Sequence, residues 1–202
     1  MKTGLTQAQR RERTRGELIE TARSLFLARG FHGASLDEIA EAAGYSKGAV
    51  YSNFAGKAEL FLAVLDAHLE RRAASYAQIV LDDTDLEESY RAVARFRLEA
   101  EEDEPEWEPL MLEFWAYAAR REDLMAVIAE QRERFLDVIM GLIDQLAAKH
   151  GVTYTIPLRE VARGSGALMR GMVLERMLDP TATSLDVFAE MHVAYMKGLT
   201  KR

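Results

Sequence analysis

The chain carries only four prolines, Pro105, Pro109, Pro157 and Pro180, and almost none of the strict apolar–polar alternation that a half-buried strand needs. Long proline-free intervals with apolar residues three and four apart can bury one face only as helices. The spacing predicts an all-α fold of about nine helices. The one strand-like run, Val152–Ile156, stands too isolated to build a sheet. With no cysteine, disulfides, cysteine–zinc sites and thiol catalysis are excluded. Hydrophobic residues at 49% and charged residues at 29% argue against both disorder and a membrane protein.

Punctuation divides the N-terminal third. A first helix is predicted over Arg10–Arg29, with Leu18, Ile19, Ala22, Leu25 and Phe26 on one face, ended by Gly30. Gly16 inside it is unusual for a helix interior. Ser35 followed by Glu38 reads as a capping box that opens a short helix, Leu36–Ala43, stopped at Gly44. Ser46 caps a second short helix, Lys47–Phe54, and a fourth starts near Lys57 with Leu60, Phe61, Val64, Leu65 and Leu69 on one face. Further helices are predicted over Asp85–Glu102, from near Pro109, over Leu124–Lys149, from Pro157 to Asp179, and from a Ser184 cap to Leu199.

The segment 35–54 has the spacing of a helix-turn-helix. Ile39 and Val50 supply contacts between the short helices, Ala40 lets their backbones approach, and Gly44 sits in the turn. On the second helix Val50 and Phe54 face inward, leaving Lys47, Ala49, Ser52 and Asn53 outward. Lys47 can donate to guanine or phosphate, Asn53 to a base edge or phosphate, and Ala49 can touch a thymine methyl. Gly48 lets the backbone approach DNA, and Ser35 and Ser46 put helix N-termini where phosphates bind. Lys57 adds a cation for one more phosphate, and Arg10, Arg11, Arg13 and Arg15 form a basic arm that a solvated tail would also explain.

Net charge is −7, which at first opposes a nucleic-acid partner. It is unevenly spread. Residues 1–60 hold nine basic against seven acidic side chains, net +2, and the rest holds 17 against 26, net −9. An acidic body tolerates DNA only if a locally basic end faces the phosphates.

The register Arg15…Ile19…Ala22…Leu25-Phe26…Gly30-Phe31…Ser35-Leu36…Ile39-Ala40…Ala43-Gly44-Tyr45-Ser46-Lys47-Gly48-Ala49-Val50-Tyr51-Ser52-Asn53-Phe54…Lys57…Leu60-Phe61 resembles the DNA-binding domain of the TetR family over residues 13–73. The resemblance implies a helix-turn-helix domain over 10–73 and a larger effector-binding and dimerisation domain over 74–202. It implies a homodimeric regulator, a repressor released from a pseudo-palindromic double-stranded DNA operator by a small-molecule effector of unspecified identity. Lys47, Gly48 and Ala49 match base-proximal positions, and Tyr51, Asn53 and Lys57 match phosphate-contacting ones. Asn53 departs from the histidine many relatives carry there. Tyr51 packing in the domain core is the alternative to a phosphate contact.

In the body, Leu185, Phe188, His192, Tyr195 and Leu199 form a seam spaced for packing on another helix. The preceding helix mixes Gly164, Gly166, Ala167 and Gly171 with Leu168, Met169, Met172 and Val173. The resemblance implies that these two helices form the dimer, with Leu168 and Met172 joining the seam; an intramolecular core is the competing reading. Trp107, Met111, Phe114, Trp115 and Tyr117 cluster along one stretch, with Phe96, Met125 and Met140 as further candidates for an adaptable apolar effector pocket or an ordinary core. Glu113 lies among them and can bind a cation or hydroxyl if it points inward. The run Glu99–Glu108, with seven acids in ten residues, is expected to be a solvated connection.

Effector binding then acts by linkage: a ligand that prefers the DNA-incompetent arrangement lowers operator affinity in proportion, with the helix from Lys57 as lever. An enzyme is not expected. His32, His68, His150 and His192 are scattered, no metal or cofactor motif occurs, and no serine–histidine or phosphate-loop pattern is found. No run nears the ~18 apolar residues of a membrane span, and the polar, basic start is not a secretory signal, so a cytoplasmic location is expected. A helical ligand-binding protein without DNA activity, or an activator, remains open.

Overall fold

The computed structural model describes residues 6–82, 85–181 and 184–201. Among them nine helices follow one another: α1 (Gln7–Gly33), α2 (Leu36–Ala42), α3 (Lys47–Asn53), α4 (Lys57–Leu81), α5 (Leu86–Asp103), α6 (Trp107–Ala118), α7 (Glu122–His150), α8 (Leu158–Leu178) and α9 (Leu185–Gly198). The run 152–156, expected to make no sheet, contributes strand β1 (Thr153–Tyr154), paired antiparallel with β2 (Thr200–Lys201). Its partner is the far end of the chain, so no local pattern announces it. No helix among the described residues is long and apolar enough to cross a membrane.

Two compact units form. The first gathers the chain up to His68 with Pro109–Ile128, and the second gathers Leu69–Glu108 with the chain from Ala129. The partition does not follow a single cut near residue 73, because most of α6 belongs with the first unit.

In the first unit, α1 opens with a capping box in which the Gln9 N–H donates to Thr6 Oγ1 at 3.2 Å. Leu18, Ala22 and Phe26 are its buried stripe, and Gly30 (φ 73°) breaks it before Phe31. The Ser35–Glu38 box forms at the start of α2: the Glu38 N–H donates to Ser35 Oγ at 3.2 Å and the Ser35 N–H to Glu38 Oε2 at 3.0 Å. These bonds, the Ser35 hydroxyl first and Arg29 after it, hold the Glu38 carboxyl below the usual carboxylate range. The helix ends in a Schellman turn, with the Tyr45 N–H on Ala40 O (2.9 Å) and the Gly44 N–H on Glu41 O (3.1 Å); Gly44 takes φ 72° as that turn requires. Ile39, Ala40, Val50 and Phe54 are buried where α2 and α3 meet. Below them Phe26, Phe31, Phe61 and Phe114 pack ring on ring, Phe61 stacking on Phe114 at 4.1 Å.

In the second unit, α9 lies chiefly along α5, with α8 against both. Ala94, Leu98, Met169, Met172, Val173, Phe188 and Ala189 make one core cluster; Val80, Tyr90, Leu146, Val161, Val193 and Met196 make another. His192 is buried between them, its Nδ1 2.9 Å from the Tyr90 carbonyl and its Nε2 2.9 Å from Ser165 Oγ. Glu108, expected on a solvated acidic connection, is instead buried and ion-paired with Arg97, while Glu102 pairs with Arg176 at 2.7 Å. The acidic run also includes Glu101, whose side chain lies outside the described residues.

Candidate nucleic-acid interface

The Ser46 hydroxyl opens α3 by accepting the Ala49 N–H at 3.2 Å, and Val50 and Phe54 turn inward. Lys47, Gly48, Tyr51 and Ser52 are exposed and Ala49 half-exposed. Tyr51 does not pack in the core, being 58% exposed. At the other end of α3, Arg11 donates to Ser52 O (3.3 Å) and Arg15 to Asn53 O (3.1 Å), with the Arg15 guanidinium 4.3 Å from the Phe54 ring centroid. These cations sit at the negative end of the helix. Two of the four arm arginines therefore brace α3 rather than trail as a solvated tail.

Several of the expected DNA contacts have partners within the protein. Lys47 Nζ pairs with Asp37 Oδ2 at 2.5 Å, and this bond raises the lysine above its ordinary pKa. Asn53 was expected to reach outward, but its amide folds back, Nδ2 donating to Ala49 O at 2.8 Å, and its Oδ1 is buried. A short polar side chain in the last turn of a helix can bond the carbonyl one turn back along its own backbone. Ser52 Oγ likewise donates to Ala49 O, at 2.9 Å.

Lys57, Tyr51 and Ser35 come together with His32, Gly33, Ala34, Leu36 and Asp37 around a cavity of about 380 Å³. Lys57 Nζ is held there by the carbonyls of His32 (3.3 Å) and Ala34 (2.9 Å), above the Phe31 ring at 4.8 Å. The groove thus offers a fixed cation, a phenol and a hydroxyl on one side of the helix-turn-helix. That set suits a phosphate diester, which wants charge and donors without base information. His32 and Asp37 were missed in the sequence, since only the fold brings them to this groove.

The residues expected to line an effector pocket are divided. Met111, Glu113, Phe114, Trp115 and Tyr117 belong to the first unit; Phe96, Trp107 and Met140 belong to the second. Phe114 is fully buried and Tyr117 packs on Phe31 at 4.7 Å, as core side chains do. Glu113 does not face a ligand space: its oxygens accept the Phe31 N–H (2.8 Å) and the His32 N–H (2.7 Å). Phe96 lies edge-on to Tyr76 at 5.4 Å, Trp107 is buried and Met140 is half-buried. Met125, a further candidate, is exposed.

The seam expected to join two copies is occupied within the chain. Met172, Phe188 and His192 are buried; Leu168 and Leu185 pack on the first core cluster of the second unit, Tyr195 and Leu199 on the other. Among the described residues, no cluster of three or more histidine, aspartate or glutamate side chains is placed to hold a metal ion.

Residues 18–64 match the bacterial regulatory proteins of the tetR family, and residues 86–201 match the C-terminal domain of BetI-type transcriptional repressors. The transcriptional activator FasR of Mycolicibacterium smegmatis is 40% identical over 82 residues, which is 41% of this chain and 37% of that protein. The chain therefore aligns with well under two thirds of that relative. A TetR-family transcriptional regulator from Mesorhizobium loti superimposes with TM-score 0.73 at 25% identity, over 94% of this chain and 96% of that one. FadR from Bacillus subtilis, solved with stearoyl-CoA, shares the fold at TM-score 0.66 and 13% identity, over 90% and 96%. With its C-terminal match alone spanning more than half its length and the helix-turn-helix in register ahead of it, this chain belongs to the tetR family of transcriptional regulators.

Proposed function

We propose that the chain binds a specific DNA operator through the outward face of α3 and regulates transcription there. The observation that carries this is the division of α3: Val50 and Phe54 are buried, while Lys47, Gly48 and Tyr51 stand exposed beside the Lys57 groove. A helix presented in this way enters the major groove, its first residues near base edges. Lys47 reads guanine or phosphate, Ala49 meets a thymine methyl, and Tyr51 with Lys57 engages a phosphate.

A second copy is the expected partner. The exposed faces of α8 and α9 carry apolar and small residues at helical spacing, Ala167, Gly171 and Leu178 on one, Val187, Met191 and Ala194 on the other. Leu178 is 76% exposed and Val187 51%. A Cβ on Gly166 or Gly171 would meet nothing, whereas one on Gly164 would strike Tyr195. The first two glycines thus keep an outer face low and the third serves internal packing. A two-fold dimer through this face would read a pseudo-palindrome.

Control is by small-molecule release, acting by linkage along α4, which runs from one unit into the other. Because FadR of the same fold was solved with stearoyl-CoA, long-chain acyl thioesters are the first effectors to screen. Repression is the favoured sign, and FasR, an activator, is the precedent for the other.

The test is a salt-titrated binding assay on DNA upstream of the protein's own gene, comparing wild type with the exposed-residue double variant Lys47→Ala/Tyr51→Ala. Tight, salt-sensitive binding lost in the variant supports the reading. Equal, weak binding of both to this DNA and to a random-sequence library overturns it.

A further inference from the structure

Resting on the DNA-binding reading above, we infer that Glu113 on α6 is a positioning residue for operator binding, setting the segment 30–34 whose carbonyls hold the Lys57 cation.

The helical bonding of α1 breaks at Gly30, where φ is 73°. Past the break, two successive N–H groups, of Phe31 and His32, have left the helical ladder, and Glu113 accepts both, one oxygen each, at 2.8 and 2.7 Å. A carboxylate can do this because both of its oxygens are acceptors, whereas an amide has one acceptor and a second atom that repels an N–H. The approach is close enough to constrain Gly30 twice over. Its φ disfavours any side chain, and a Cβ there would lie 2.5 Å from Glu113 Oε2.

The same short segment is gripped by Lys57. Its Nζ takes the carbonyls of His32 and Ala34 at 3.3 and 2.9 Å and lies 4.8 Å from the Phe31 ring centroid. Glu113 thus fixes the N–H groups and Lys57 the carbonyls of one short segment, the last turn of α1 past its kink, which runs into the Ser35 cap of α2. Lys57, His32, Ala34 and Ser35 all wall the groove with Tyr51; Glu113 does not. Its effect on DNA is therefore indirect, through where it holds the segment and hence the lysine.

The sign of the effect separates positioning from simple electrostatics. Removing a negative charge from a DNA-binding unit should tighten binding to a polyanion. Loss of positioning should weaken it. The full-length Glu113→Gln variant is measured against the operator across a salt series, alone and in a Lys57→Met background, with thermal melting of each protein. The expected result is roughly tenfold weaker operator binding at moderate salt, on the scale of a lost charge-assisted hydrogen bond. In the Lys57→Met background the same change should have little further effect, whereas general destabilisation would act equally in both. Should Glu113→Gln be unfolded at the assay temperature, Glu113→Asp, which keeps both oxygens on a shorter stem, carries the comparison with an intermediate loss expected. Wild-type binding with an unchanged or tighter Glu113→Gln overturns the inference and leaves the DNA reading standing. Absence of salt-sensitive binding by wild type overturns the DNA reading, and this inference with it.

Discussion

Asp37 on α2 holds Lys47, the first residue of α3, by an ion pair of 2.5 Å, with about half of the aspartate and two thirds of the lysine side chain open to solvent. The pair ties the lysine that begins α3, the helix proposed to read DNA, to α2, which packs against it. It also offsets part of that lysine's attraction to phosphates. Asp37→Asn is expected to tighten binding to random-sequence duplex and to steepen its salt dependence by about one counterion. Fluorescence anisotropy on a scrambled duplex over a salt series reads this directly. A smaller gain is expected on the operator, so the ratio of specific to non-specific affinity should fall.

Exposure separates two faces of α9 that sequence spacing cannot. Phe188 is buried on the chain's own core, while Val187 beside it is open. Phe188→Ala is expected to lower stability by about 3–5 kcal/mol through the cavity it leaves. Val187→Asp should leave the monomer's melting behaviour nearly intact and shift the sedimentation coefficient from dimer to monomer, with operator affinity falling alongside. A Val187→Asp protein that stays dimeric in sedimentation would place the interface elsewhere.

Local chemistry was legible in the sequence where it closes within a few residues. The Ser35 and Ser46 caps, the Gly44 turn and the inward pair Val50 and Phe54 are all of this kind, because a cap or a helical face involves neighbours three or four positions apart. Partner choice was not legible. The repeat Leu185, Phe188, His192, Tyr195, Leu199 announces that a helix packs on something, but not that the partner is chiefly α5 of the same chain. Glu113 among aromatic residues reads as a pocket carboxylate; its partners are backbone N–H groups 82 and 81 positions away, which have no sequence signature. The β1–β2 ladder escaped for the same reason.

His192 should make the second unit acid-sensitive. A backbone carbonyl only accepts, so Nδ1 carries the proton toward Tyr90 O and the Ser165 hydroxyl donates to Nε2. Burial lowers the histidine pKa, outweighing the opposing pull of the Tyr90 carbonyl. The unfolded chain then binds a proton more readily than the native one. Stability is therefore full above the ordinary value of 6.5, declines as pH falls below it, and levels off beneath the native value. Urea midpoints from pH 7.5 down to pH 5 should show this decline, and His192→Gln should flatten it.

The buried pair Arg97–Glu108 offers a sharper test of what holds the second unit together. Both side chains are 5% exposed, and Arg170 also acts electrostatically on Glu108, so the buried charges are compensated inside the unit rather than by water. Removing one partner leaves a buried charge, and Glu108→Gln is expected to cost about 3–5 kcal/mol in denaturant unfolding. Replacing both, as Arg97→Met with Glu108→Leu, removes the desolvation cost along with the attraction. The double variant should recover most of the loss, because a packed apolar pair of similar volume stabilises a core about as well as an ion pair. If the double variant is as unstable as the single, the guanidinium and carboxylate are holding further polar groups, and the pair is the centre of a network rather than an isolated bond.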